Sequence, residues 1–259
     1  MLFILDRRIV HYYDLMRVLV DREMKLLYKR SALGVLWTMI NPLLQLLVFL
    51  FIFRTILKVD IPHYTSYVFT GLLVWQWFSK ATLQATGIII GNRPLIRQPG
   101  FPVSVLPPAV VMTGMLHFVL ALPVLAGFLL MDGLLPGPAF FWLPVLMLIQ
   151  FLVTVTISYL LAGVNVAFRD TQNALAVLLQ VMFYMTPIFY SIDRIPADLR
   201  PFYELNPMVP ILMGYRSVLL DGQSPQWTSL LPVVVIISAL LPLCFLLFRH
   251  QSRRFVEEI

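Results

Sequence analysis

The sequence predicts an all-α membrane protein of six transmembrane helices, and three observations predict it. First, 59% of the 259 residues are hydrophobic and only 12% are charged, about half the charged share of a soluble domain. The mean hydropathy is +0.85, so most of the surface must meet lipid or other apolar helices. Second, apolar runs long enough to cross a bilayer recur at 35–53, 66–90, 106–131, 139–167, 172–191 and 228–248. Third, basic residues alternate across these runs. Arg7, Arg8, Arg17, Arg22, Lys25, Lys29 and Arg30 precede the first run, Arg93 and Arg97 follow the second, Arg169 follows the fourth, and Arg249, Arg253 and Arg254 follow the sixth. The intervening loops hold only Arg54, Lys58, Arg194, Arg200 and Arg216. The positive-inside rule then places both termini in the cytoplasm.

In chain order, residues 1–34 alternate the basic residues with Ile9, Tyr12, Met16, Leu19, Val20, Leu26 and Leu27 at helical spacing, the pattern of an amphipathic helix lying in the interface. Leu2 to Leu5 is too short for a cleavable signal, so the first span is expected to direct insertion. Residues 35–259 form the transmembrane domain, with the second run interrupted by Lys80. The link 91–108 is dense in proline and carries Arg93 and Arg97, which makes it a turn-rich basic hook rather than a tether. The outer stretch 192–227 has two apolar patches, Leu199 to Leu205 and Met208 to Leu220, each too short to cross and separated by Asn206-Pro207. Two short re-entrant helices before the last span are expected there, because irregular backbone at membrane depth needs protein around it; an ordinary surface loop is the alternative. Trp75, Trp77, Trp142 and Trp227 are expected to anchor span ends at the interface.

Several chemistries are excluded by what the spans lack. The carboxylates all fall outside the apolar runs, so no span offers the buried acid of a proton-coupled carrier. His117 is the only histidine inside a run and is expected to pack by hydrogen bonding. There is no H-E-x-x-H or G-x-S-x-G, and no metal site or catalytic residue is expected. Lys25, Lys29, Lys58 and Lys80 are never preceded by glycine, so the phosphate loop G-x-x-x-x-G-K-[ST] is absent and any ATP must be bound by another chain. Cys244 is the single cysteine, which leaves no disulfide within the chain. The net charge of +6 follows topology rather than a basic face with interleaved aromatics, so nucleic acid is not an expected partner.

Within the first span Trp37, Asn41, Gln45, Phe49 and Phe53 recur every four residues. A polar and aromatic stripe in a span either joins helices or lines a polar path, and spacing alone does not choose. Rings with amide donors suit carbohydrate, whose C–H faces stack and whose hydroxyls need hydrogen-bond partners. Phe183, Tyr184, Phe189 and Tyr190 near the outer half of the fifth run add similar chemistry.

Five segments carry a resemblance: Tyr28 to Leu43 (YKRSALGVLWTMINPL), Asn92 to Pro107 (NRPLIRQPGFPVSVLP), Phe168-Arg169-Asp170, Met185 to Ser191 with Pro196, and Asn206 to Trp227 (NPMVPILMGYRSVLLDGQSPQW). In this order they resemble the permease subunits of type-2 ABC exporters for O-antigen, capsule and teichoic-acid polysaccharides. The resemblance implies a homodimer of six-span subunits in the bacterial inner membrane, seated on two copies of an ABC ATPase that binds ATP and magnesium. It implies export of an undecaprenyl-diphosphate-linked polysaccharide through a central channel, which the stripe and ring residues Trp37, Asn41, Gln45, Phe49, Phe53, Phe183, Tyr184 and Tyr190 would line. Arg22, Lys25, Arg93 and Arg97 would couple to the ATPase, and Pro196, Asn206, Pro207, Tyr215 and Arg216 would belong to an exit gate. A type-2 permease for a drug or lipid, and an intramembrane enzyme acting on polyprenyl carriers, are the alternatives. The first calls for a more uniformly apolar cavity, and the second for an acid or base that the spans do not offer.

Overall fold

The computed structural model describes residues 2–28, 34–135 and 137–252. Among them no strand occurs. Ten α-helices follow in order: α1 (Leu2–Tyr28), α2 (Trp37–Phe49), α3 (Tyr64–Gly91), α4 (Arg93–Ile96), α5 (Leu106–Met131), α6 (Leu143–Ala167), α7 (Thr171–Met185), α8 (Arg200–Glu204), α9 (Met208–Leu219) and α10 (Trp227–Ser252). α2 continues without a break into a π-helical stretch, Leu50–Ile56, which ends where Lys58 takes a left-handed conformation at φ 49°.

Four helical segments are long and apolar enough to cross a membrane: Trp37–Ile56, Val103–Met131, Pro138–Ala167 and Trp227–Ser252. The sequence reading expects six, and the two that differ do so for separate reasons. α3 has the length, at 28 residues, but its Ser66, Thr70, Gln76, Lys80, Thr82, Gln84 and Thr86 dilute its apolar character. The run at 172–191 yields a helix of only 15 residues, about 22 Å against a hydrocarbon core of about 30 Å. Pro187 lacks an amide hydrogen and pushes Thr186 out of the helical region, so α7 stops at Met185 with Thr186 extended at ψ 136°.

α3 is the hub. It packs against α5 and α6 along most of its length and against α2, α7 and α9 in part, while α10 packs on α6. Close approach depends on small residues: a Cβ on Gly114 would stand 2.7 Å from Cδ1 of Trp77, so only glycine admits the indole to α5. Trp77 then donates from Nε1 to the carbonyl of Val111 at 3.1 Å. Trp75 and Trp77 are therefore buried near the middle of α3 and anchor no span end. Trp142 and Trp227 do stand together at the starts of α6 and α10, edge to face at 5.0 Å.

Several hydroxyls inside the apolar helices are satisfied locally. Thr86, Thr113, Thr154 and Thr156 each donate to the carbonyl four residues earlier, which lets threonine sit among helices that offer no water. Gln150 reaches further and donates to the carbonyl of Val74 at 2.9 Å, joining α6 to α3.

The bundle has two chemically different ends. At one, Arg22 of α1 donates to Oδ1 of Asn92 at 3.1 Å, Tyr159 of α6 donates to the carbonyl of Ser104, and Gln172 binds Asn165 across the turn between α6 and α7. At the other, Ser66 donates to Asp132 at 2.5 Å, while Tyr64 and Tyr67 donate to the carbonyls of Phe189 and Tyr190. α1 buries Leu19 and Val20 against the bundle and leaves Val10, Tyr13 and Val18 exposed, as a helix does when one face meets protein and another meets an interface.

Candidate functional site

The aromatic residues singled out on α2 and beyond α7 meet in space. Phe49 stacks on Phe189 at 5.1 Å with an interplanar angle of 9°, and Phe53 contacts the same ring at 4.9 Å. Phe183 touches Phe49 at 6.0 Å, Tyr184 at 5.3 Å and Trp75 at 6.2 Å. Tyr190 meets Phe189 at 5.1 Å. Phe189 is the centre of this cluster because α7 ends at Met185, four residues before it, so that the extended chain after Pro187 turns its ring back between α2 and α7. Ring stacking of this kind adds about 0.5–1.5 kcal/mol per pair beyond burial.

The stripe on α2 is not uniform. Its C-terminal half, Phe49 and Phe53, is half-buried in the cluster, whereas Trp37 and Asn41 are exposed. Gln45 lies between, and its Oε1 accepts from Nε2 of Gln76 at 3.0 Å. Gln76 in turn accepts from Nζ of Lys80 at 3.1 Å, so an amide pair and an ammonium form a short polar ladder across α2 and α3. Spacing on α2 alone gives no hint of Gln76, whose signal was its place one helical turn before the only lysine in a span.

The basic residues of the expected coupling set share one end. Arg22 is tied to the hook through Asn92, Lys25 pairs with Asp21 at 2.6 Å on an exposed surface, and Arg97 is exposed beside the half-buried Arg93. Ile96 is buried and fixes α4 against the bundle, which leaves the arginines on its outer side.

The residues expected at an exit gate occupy two environments. Pro196 opens a short 3-10 turn, Ala197–Leu199, before α8. Asn206 accepts from the amide of Met208 at 3.0 Å and donates to Thr186 at 3.0 Å, so with Pro207 it starts α9 and clips it to the end of α7. Tyr215 and Arg216 point into the bundle. Tyr215 is fully buried with its ring edge-on to Phe118 at 5.6 Å. Arg216 is 3% exposed and donates to the Tyr67 hydroxyl at 2.8 Å and the carbonyls of Pro187 and Ile188 at 2.7 and 2.8 Å. Its guanidinium lies over the Tyr67 ring at 3.4 Å. Among the described residues the one ion pair is Lys25 with Asp21, so carbonyl dipoles and a ring face, not a carboxylate, hold this buried cation.

Comparison with known proteins places these features in a family. The profile described as "ABC-2 type transporter" matches residues 14–220, and so includes the α2 stripe, the hook and the α8–α9 segment. An O-antigen export system permease protein of Myxococcus xanthus is 34% identical over 257 residues, covering 98% of this chain and 99% of that protein. A Klebsiella pneumoniae protein of the same description is 32% identical over 249 residues, 95% of each. The polysialic acid transport protein of Escherichia coli is more distant, 21% identical over 84% of this chain and 87% of its own length. By the extent of the profile match and by two relatives above 30% identity along nearly the whole chain, this protein belongs to the ABC-2 type transporter family of membrane permeases.

Proposed function

We propose that this chain is the transmembrane subunit of an ATP-driven exporter that moves an undecaprenyl-diphosphate-linked, O-antigen-like polysaccharide across the bacterial inner membrane. The observation that carries this reading is the near full-length likeness to two O-antigen export permeases. The surface shared by α2 and α7 agrees with it. Asn41 and Gln45 offer amides, the Phe49 to Tyr190 cluster offers rings, and no carboxylate stands in either helix. Such a surface gives many weak contacts and lets a glycan slide.

In this reading α3 and α7 complete a six-span topology with α1 and the end of α10 on the cytoplasmic side, because that end gathers the basic residues. α9 would be a re-entrant half-helix with α8 at its outer tip: it has 12 residues, of which ten are buried among α3, α6 and their neighbours, the shielding that a short helix at membrane depth needs. The active unit would be a homodimer bound through the Arg22, Lys25, Arg93 and Arg97 end to two ABC ATPase subunits. ATP and magnesium would belong to those subunits, since none of the four lysines of this chain follows a glycine as a phosphate loop requires.

The test is reconstitution. Inverted vesicles carrying the chain and its ATPase should take up lipid-linked glycan only with ATP, and the chain alone should hydrolyse none. Phe49→Ala and Gln45→Leu should slow uptake while chain and dimer levels stay near wild type. Uptake of a drug or a free lipid but not of glycan would replace the reading by the alternative permease.

A further inference from the structure

Between α2, α3 and α5 lies a cavity of about 60 Å³, room for a group of a few heavy atoms. Thr38, Gln76, Lys80 and His117 supply its polar lining, with Trp77 and Phe118 among the apolar walls. Lys80 is the sixteenth residue after Tyr64 and the eleventh before Gly91 in α3, so at 1.5 Å per residue its Cα is at least about 16 Å from either end of the helix. A lysine at such depth usually extends its stem toward the nearer headgroups. This one does the opposite: its Nζ bonds Gln76 one turn back along α3, away from the nearer end and toward the amides of Gln45 and Gln76.

An ammonium has three donors and this one gives one to an amide oxygen, while no carboxylate lies within 4.0 Å of it among the described residues. A cation among apolar helices is stable when paired, and the described residues supply no pair. Gln45 spends its oxygen on Gln76, which lines the cavity, and keeps its own amide hydrogens. Cation and amide donors therefore belong to one hydrogen-bonded ladder that borders one small opening.

We infer that this cavity seats the phosphate-bearing headgroup of a lipid, with Lys80 as its counter-charge and Gln45 as a second donor. The depth matters to the source: the phosphates of resting phospholipids lie outside the hydrocarbon, so a phosphate at Lys80 has left that layer. The inference rests on the six-span reading for the depth of α3, and on the exporter reading in favouring the diphosphate of a carrier lipid over ordinary phospholipid.

Native mass spectrometry of the purified full-length chain, after addition of glycan-free undecaprenyl diphosphate, phosphatidylglycerol or phosphatidylcholine, tests it. The wild type should retain undecaprenyl diphosphate over phosphatidylcholine, and Lys80→Gln should weaken that retention about ten- to hundredfold, the worth of a charge-assisted hydrogen bond. Lys80→Arg should keep it, Gln45→Leu should weaken it severalfold, and Lys58→Gln, on an exposed loop, should leave it unchanged. Parallel loss of phosphatidylglycerol would support the site and make bilayer phospholipid its source; selective loss of undecaprenyl diphosphate would support the site and make the carrier its source. Equal retention of both anionic lipids by wild type and Lys80→Gln, or no preference over phosphatidylcholine in the wild type, would overturn it. Glycan export does not enter this readout, so failure of the exporter reading would appear only in the vesicle assay.

Discussion

Arg216 and Lys80 are both cations among apolar helices, and their surroundings are opposite. Arg216 is enclosed: a hydroxyl, two carbonyls and a ring face converge on its guanidinium. Lys80 faces an opening and has one amide partner. The planar fork of arginine suits a fixed cage in which several acceptors are met at once, whereas the compact ammonium of lysine keeps donors to spare. A cation on α9 whose acceptors come from α3 and from the segment after α7 holds the three together. A cation left with spare donors is available to something that arrives from outside.

The contrast is tested first where the expected effect is largest. Arg216→Met keeps the bulk but strips donors from the carbonyls of Pro187 and Ile188 and from Tyr67, at a cost of about 3 kcal/mol or more, since hydrogen bonds to a charged group are worth about 1.5–3 kcal/mol each. A clear fall in the thermal midpoint of the purified chain in detergent, and in its membrane level, is the expected result; a wild-type midpoint would make the cage dispensable.

Gly71→Ala attacks the same cage without touching its charge. The added Cβ would lie 3.1 Å from Nη2 of Arg216 and from the Ile188 carbonyl, an overpacking worth about 1–3 kcal/mol. If the cage is one unit, the Gly71→Ala, Arg216→Met double variant should lose less than the sum of the two single losses in the same melting measurement. Asn206→Ala removes the clip between α7 and α9 and should cost about 1 kcal/mol. Protection of the α9 amides against hydrogen exchange should fall selectively, and uniform loss across the bundle would contradict a local clip.

Lys80→Gln should have the smallest effect on stability, within about 0.5 kcal/mol, as befits an exposed side chain. An unchanged melting midpoint together with lost lipid retention separates the two cations cleanly. A Lys80→Gln variant as unstable as Arg216→Met would erase the distinction.

Much of this was legible in the sequence, and the limits are instructive. Helix after helix follows from apolar runs, and the basic end follows from arginines that flank them, because hydropathy and charge act residue by residue. Hydropathy carries the run at 172–191 through to Ser191, whereas the helix itself stops at Met185, ahead of Pro187. Aromatic belts make Trp75 and Trp77 look interfacial, yet Trp77 is 3% exposed inside the hub; the small residue that admits it, Gly114, is 37 positions away on another helix.

The sequence by itself determined the helical class, the apolar segments, the partition of charge between two ends and the absence of a carboxylate in any span. Tertiary structure alone decided which polar groups meet: that Gln45 bonds Gln76, that Phe189 gathers the rings of α2 and α7, and that Arg216 finds carbonyls while Lys80 finds an opening. The physical reason is range. Partition between lipid and water is nearly additive along the chain, whereas a hydrogen bond or a ring contact exists only where packing brings distant helices within a few ångströms of each other.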